Sequence, residues 1–239
     1  YNPFINYLHS TTGITWELKL YHNYDAIINS LCSGEISIAY LGPNVIGIGN
    51  EKCNIEPIIV SVNEDGKPFL RSLIFTNNHK IKSLKELKGK SFAFGDKLST
   101  TSNIIPRNIL EDNGIKMNMI KPVFFKSHDR IISEVAKNTV TAGATKSSFL
   151  KEIKRLNLKV LHVSEDLPNY AFCSSPNIDP YIERKFIKAL LKLKPRHDNR
   201  DRNIVREWAS ELRNGFTLPS KNYIQGISKL HEIFTKYND

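Results

Sequence analysis

The sequence predicts an α/β protein built in two blocks. Short apolar runs of strand length alternate with amphipathic stretches of helix length almost throughout. The alternation runs through roughly residues 1–75 and restarts over 80–170. The final third carries helical periodicity alone. At 239 residues, 40% apolar and 24% charged, the chain can fill two cores.

The elements follow in order. Phe4 to Leu8 reads as part of a helix, and the alternation of Trp16 to Tyr21 as a strand. Tyr24 to Leu31 is helical and stops at Ser33-Gly34. Ile36 to Leu41 is an apolar strand ending at Gly42-Pro43, and Pro57 to Val62 and Ser72 to Thr76 are two more. Ser83 with Glu86 has the spacing of a capping box. Ser91 to Gly95 is a strand, Thr101 to Asn113 a helix, Pro122 to Phe125 a strand and Asp129 to Lys137 a helix. A short strand at Val140 to Ala144 precedes a helix at Ser147 to Leu156 and a strand at Lys159 to Val163, after which Tyr170 to Cys173 runs extended. Ile182, Phe186, Ala189, Leu190 and Leu193 then form one apolar helical stripe, and Ile224, Ile227, Leu230 and Phe234 another.

Composition excludes some classes. The net charge is +10, but Lys and Arg are scattered among Glu and Asp with no basic stripe interleaved with aromatics, which disfavours nucleic acid. No apolar run approaches the ~20 residues of a membrane span. The chain opens on Tyr1-Asn-Pro-Phe4 without Met, so an N-terminal part is expected to have been removed. Cys32, Cys53 and Cys173 have no metal-ligand spacing. Cys32 can pair with Cys53, yet spacing does not decide between a bond and buried thiols. No GxSxG, HExxH, Walker A or GxGxxG occurs, so neither an enzyme nor a metal or cofactor site is expected.

Three stretches carry chemistry. Gly95-Asp-Lys-Leu-Ser-Thr-Thr-Ser-Asn103 follows a strand and opens a helix. A helix start offers free N–H groups and a partial positive charge, which together suit an anion. Ser99, Thr100, Thr101 and Ser102 add four hydroxyls, each a directional donor without a fixed counter-charge. Plain N-capping would use one such residue, not four. Pro106 fits a helix starting near Ser102. His128 stands at a second strand-to-helix turn, where it either donates to an anion or is an exposed loop residue. Tyr40 ends a buried strand, where α/β proteins place ligands, though an aromatic core role suits it equally.

Tyr1-Asn-Pro-Phe4, Gly34-Glu-Ile-Ser-Ile-Ala-Tyr-Leu-Gly-Pro43, Phe92 to Ser102 with Pro106, Ser127-His128-Asp129 and Val140-Thr-Ala-Gly-Ala144 come in a telling order and spacing. In these the chain resembles, over nearly its whole length, the PhnD-like phosphonate, phosphite and phosphate substrate-binding proteins of ABC importers. The resemblance implies a two-lobed type II periplasmic-binding-protein fold, each lobe a mixed sheet flanked by helices, with a ligand cleft between. Crossings near Phe75–His79 and Phe172–Pro176 would divide it into 1–76 with 176–239 and 77–175. The family's usual first strand, ahead of the Pro-Phe segment, is missing.

The resemblance further implies that Ser99, Thr100 and Thr101 hold the phosphorus oxygens, with His128 from the same lobe and Tyr40 and Asn169 as further ligand residues. Thr101 and Ser102 stand where the family usually has Ser and Gly, and both stay small and polar. Phe69-Leu70 stands where a Tyr is frequent, Thr141 where an acidic residue is, and Asn169 where an Asp is expected. Carboxylates hold the ammonium in members that take an aminoalkyl phosphonate, so 2-aminoethylphosphonate is disfavoured. The implied protein is an extracytoplasmic, non-catalytic monomer at the periplasmic or extracellular face of the membrane, with anchoring as a lipoprotein through its missing N-terminus as a further expectation. Its partners would be a phosphorus oxyanion and an ABC-type permease. The alternative is the ligand-sensing domain of a receptor such as a sensor kinase, with its own transmembrane segment.

Overall fold

The structure, a computed structural model, describes residues 1–237. In chain order the first elements are α1 (Asn2–Thr12), α2 (Tyr24–Ser33), β1 (Ile38–Leu41), α3 (Pro43–Cys53), β2 (Glu56–Ser61), β3 (Phe69–Leu70) and β4 (Ser72–Thr76). There follow β5 (Ser91–Phe94), α4 (Ile105–Asp112), β6 (Lys121–Phe124), α5 (His128–Ala136), β7 (Ala142–Lys146), α6 (Leu150–Arg155), β8 (Lys159–Val163), β9 (Leu167–Pro168) and β10 (Ala171–Ser174). The chain closes with α7 (Pro180–Lys192), α8 (Asn199–Val205), β11 (Phe216–Thr217) and α9 (Lys221–Thr235).

The chain divides into two compact units, Tyr1–Phe69 with Pro168–Lys229, and Leu70–Leu167 with the residues from Leu230 on. The expected crossings lay about seven residues later at each passage. Strand pairing explains the difference: β4 is laddered to β7 and β8 of the second unit, and β10 to β1 and β2 of the first.

The first unit's sheet has the order β1-β10-β2-β11, antiparallel at every step. Helices pack on it through an aromatic core. Phe172 on β10 has ring neighbours in Phe4, Tyr40, Phe186 and Phe216, at 5.5, 4.7, 5.1 and 6.1 Å. Trp208 closes over Phe4 at 5.0 Å and Tyr7 at 5.2 Å. The first C-terminal stripe lies here: Phe186, Ala189, Leu190 and Leu193 are buried. In the second stripe Ile227, Leu230 and Phe234 are buried, but Ile224 is exposed. Tyr223 takes its place inward, its hydroxyl donating to Asn169 O at 2.6 Å.

Trp16 to Tyr21, expected as a strand, join no ladder. Trp16 packs on Phe186 at 5.4 Å and its indole N–H donates to Thr12 Oγ1, while Leu18 and Leu20 face water. Alternation sets a strand's faces, but only a partner makes it one.

Cys32 and Cys53 form a disulfide that ties α2 to the end of α3, at a sequence separation of 21. Cys173 stays a buried thiol. A bond closing a loop of this length stabilises by about 3 kcal/mol in the chain-entropy account. Reduction, or Cys32→Ser with Cys53→Ser, is therefore expected to lower the melting temperature by roughly 6–12 °C. Parallel melts with and without reductant measure this, and coincident melts would refute it.

The second unit's sheet has the order β6-β5-β7-β4-β8. β5 runs parallel to β6 and β7, and β4 antiparallel to β7 and β8. Side chains alternate between its faces with period two. Ile74, Phe92, Phe94, Ala142 and Ala144 meet Leu110 of α4 on one face. Leu73, Phe75 and Ala93 meet Ile131 and Val135 of α5 and Ile153 of α6 on the other. Gly143 lets α5 approach closely, since a Cβ there would lie 2.8 Å from Ile131 Cγ2. The capping box at Ser83 and Glu86 forms, though on a single short turn, Leu84–Leu87.

Candidate functional site

The sheet of the second unit presents one edge rich in hydroxyls. β5, β6 and β7 are parallel, so their C-terminal ends open together. The antiparallel β4 starts there, with Ser72 opposite Lys146, and β8 leads to Ser164 at the same edge. Ligands of open α/β sheets sit outside such carboxyl ends.

The loop after β5 carries the hydroxyl turn. Ser99, Thr100, Thr101 and Ser102 are all buried. Ser99 caps the helix, its Oγ accepting from Ser102 N–H at 3.4 Å and lying 2.7 Å from Ser102 Oγ. Ser99 O accepts from both Asn103 N–H at 3.1 Å and Ile104 N–H at 3.0 Å. The second bond spans five residues, so the helix opens with one wide π turn over Thr100–Ile104 before α4 begins. Such turns recur at functional sites. The amides of Thr100 and Thr101 precede every acceptor their own helix could offer.

The sheet holds this turn closely. Gly95 N–H donates to Ser102 O at 2.8 Å, and Asn103 Nδ2 to Gly95 O at 3.2 Å. A Cβ on Gly95 would lie 1.9 Å from Ser102 Oγ, so only glycine allows the approach. Ser72 Oγ donates to Thr101 O at 2.6 Å. Thr101 Oγ1 and Asn103 Oδ1 are buried and have no hydrogen-bond partner among the described residues. Buried polar atoms are nearly always paired, so these two exceptions within a hydroxyl cluster at a helix start single out the turn as the candidate site.

His128 begins α5 one strand away, behind a Ser127 cap that accepts from Arg130 N–H. Its Nδ1 lies 2.9 Å from Oγ1 of the fully buried Thr145, at the end of β7, and its ring lies 5.6 Å from Phe149. When the Thr145 hydroxyl donates, a neutral ring carries its proton on Nε2 and becomes a donor there.

Tyr40 and Asn169 belong to the first unit and meet at Ser61. Tyr40 OH lies 3.0 Å from Ser61 Oγ, and Asn169 Nδ2 donates to Ser61 O at 3.0 Å. The Tyr40 ring stacks on Tyr170 at 5.5 Å. Burial pushes the Tyr40 phenol well above its ordinary range, against a smaller opposing effect of the Ser61 bond, so the group stays neutral.

Of the expected residues, the structure brings Ser99, Thr100 and Thr101 together, sets His128 at the same sheet edge, and pairs Tyr40 with Asn169 in the other unit. Sequence reading missed Ser72, Thr145, Ser61 and the need for glycine at position 95. Ser72 and Ser61 read only as parts of strands, and Thr145 lay one residue past the expected end of its strand. Among the described residues, no group of three or more His, Cys, Asp or Glu could hold a metal ion, and no helix is long and apolar enough to cross a membrane.

Comparison with known proteins bears on the family and the fold. The family described as "ABC transporter, phosphonate, periplasmic substrate-binding protein" matches residues 1–221. The phosphate-import protein PhnD of Mycolicibacterium smegmatis is 22% identical over 202 residues, 76% of this chain and 63% of that protein. The chain spans about three fifths of the length of the curated relatives it matches. A binding-protein component of an ABC phosphonate transporter from Pseudomonas aeruginosa superposes with a TM-score of 0.83 at 19% identity, covering 99% of this chain and 81% of that one. PhnD1 of Prochlorococcus marinus, solved with methylphosphonate, gives 0.80 at 18%, covering 99% and 91%. These likenesses show a two-domain α/β fold of the type II periplasmic-binding-protein kind. By its match over residues 1–221, the chain belongs to the periplasmic phosphonate substrate-binding proteins of ABC transporters.

Proposed function

We propose that the chain works outside the cytoplasm as a solute-binding protein that captures a small phosphorus oxyanion, a phosphonate, phosphite or phosphate, and hands it unchanged to an ABC-type permease. The observation that carries this is the buried Ser99–Ser102 turn at a helix start, whose Thr101 hydroxyl has no hydrogen-bond partner among the described residues. Dipoles of hydroxyls, amides and the helix end meet the anion's charge, and hydrogen bonds to a charged acceptor are about twice as strong as neutral ones. His128 adds a donor from the neighbouring strand end. On the family pattern, Tyr40 and Asn169 of the first unit are further ligand residues. Thr141 and Asn169, standing where carboxylates are usual, speak against 2-aminoethylphosphonate. The Cys32–Cys53 bond suits an oxidising compartment. The protein is proposed to act as a monomer.

A thermal-shift screen of refolded, ligand-free protein with phosphate, phosphite, methylphosphonate, 2-aminoethylphosphonate and sulfate tests this. At a hundredfold excess over Kd, binding stabilises by about 2.7 kcal/mol, or roughly 5–10 °C here. One phosphorus anion is expected to give that shift, and Thr100→Ala with His128→Ala to remove it. A flat response to every anion would overturn the assignment.

A further inference from the structure

Pro106 lies in the first turn of α4 and has no amide hydrogen. A residue with an N–H at that position would bond the carbonyl of Ser102, four residues back, or of Thr101, five back in the wide register. Both carbonyls are instead taken by the sheet. The Gly95 amide, just past β5, holds Ser102 O at 2.8 Å, and the Ser72 hydroxyl, at the start of β4, holds Thr101 O at 2.6 Å. β5 and β4 lie on either side of β7, whose Thr145 bonds His128. Ser72 is itself fixed: its amide donates to Ser164 Oγ, and Ser164 N–H donates back to Ser72 O, both at 2.9 Å.

We propose that Ser72 is a positioning residue for the anion turn. It takes up a carbonyl that Pro106 leaves outside the helix, and so sets the turn's donors in place before any ligand arrives. Its consequence for affinity rests on the function proposed above; its effect on the turn does not. A site ordered in advance loses less entropy on binding, so loosening it weakens affinity even though the Ser72 hydroxyl bonds a backbone carbonyl of the turn and none of its hydroxyls.

The test compares the parent with Ser72→Ala, Ser72→Thr, which keeps the hydroxyl, and Ser164→Ala, which disturbs the same strand end but spares the bond to Thr101. Two quantities are read: amide hydrogen exchange in ligand-free protein, and Kd for phosphate, phosphite and methylphosphonate by calorimetry. In Ser72→Ala, exchange at Ser102, Asn103 and Ile104 is expected to rise about tenfold with the β6 amides unchanged, since a buried carbonyl loses its donor. Affinity is expected to fall about tenfold, or 1.4 kcal/mol. Ser72→Thr should restore both. Parent-like exchange in Ser72→Ala, or an equal rise in Ser164→Ala, overturns the positioning role. If the parent binds none of the three anions, the proposed function fails while exchange still decides the role of Ser72. Should Ser72→Ala not fold, Pro106→Ala replaces it. Its regained N–H competes for the two carbonyls and should weaken binding at an unchanged melting temperature; unchanged affinity overturns the proposal.

Discussion

Replacing Gly95 by alanine is expected to abolish oxyanion binding, with at least about a hundredfold loss, the scale of leaving two buried polar groups mispaired. The added methyl would lie 1.9 Å from Ser102 Oγ and 2.8 Å from Ser102 Cβ. Rotating the hydroxyl away leaves the second clash, so the turn itself has to move. That breaks the Ser99–Ser102 hydroxyl contact and the Gly95 amide bond to Ser102 O. Overpacking of this kind also costs about 1–3 kcal/mol in stability. Titration of Gly95→Ala with whichever phosphorus anion the parent binds measures the first effect, and thermal melts the second. Ser102→Gly on the same chain removes the obstacle, though also the Ser99 contact, and should recover the fold and, through the restored Gly95 amide bond, part of the affinity. A Gly95→Ala protein that binds as the parent does would show that the turn is not where the anion sits.

Phe172→Ala should produce the largest loss of stability from a single core change. Phe172 is buried on the second strand of the first sheet, and four aromatic rings surround it. Truncating such a ring costs about 3–5 kcal/mol, part from lost transfer energy and part from the cavity left behind. Whole domains are stable by only about 5–15 kcal/mol, so the variant is expected to melt roughly 10 °C or more below the parent. Phe172→Leu keeps much of the volume and should lose less. Leu20→Ala, at a side chain 76% exposed, should change stability by no more than about half a kcal/mol. Similar melting temperatures for Phe172→Ala and Leu20→Ala would mean that the first core is not organised around this ring.

Elements governed by neighbours in sequence were legible. Ser72–Thr76 and Lys159–Val163 are strands at the bounds their residues suggest, and α2 stops where Gly34 adopts φ 79°. The strand-to-helix turns that carry the anion chemistry were legible for the same reason: cap, hydroxyls and proline lie within eight residues. What depends on distant partners was not. Trp16 to Tyr21 alternate like a strand but find no ladder. α3 was not foreseen: Pro43 to Gly47 are all buried, and its exposed polar residues, Asn50, Glu51 and Lys52, are bunched at its end, so no helical alternation gives it away. The Ser72 contact joins residues 29 apart, and no local pattern announces a strand-opening serine that holds a helix carbonyl.

The strand order of the first sheet bears on synthesis. β10 stands between β1 and β2, and β11 borders β2, so every ladder there joins the chain before residue 70 to the chain after 167. As the polypeptide leaves the ribosome, β1 and β2 emerge first and wait about a hundred residues for a partner. All five strands of the other sheet lie between Ser72 and Val163 and can pair in the meantime. The unit whose first strands are synthesised earliest is thus the unit whose sheet closes last, a long-range closure that slows folding and leaves two apolar strand edges open to wrong partners until residue 171 arrives.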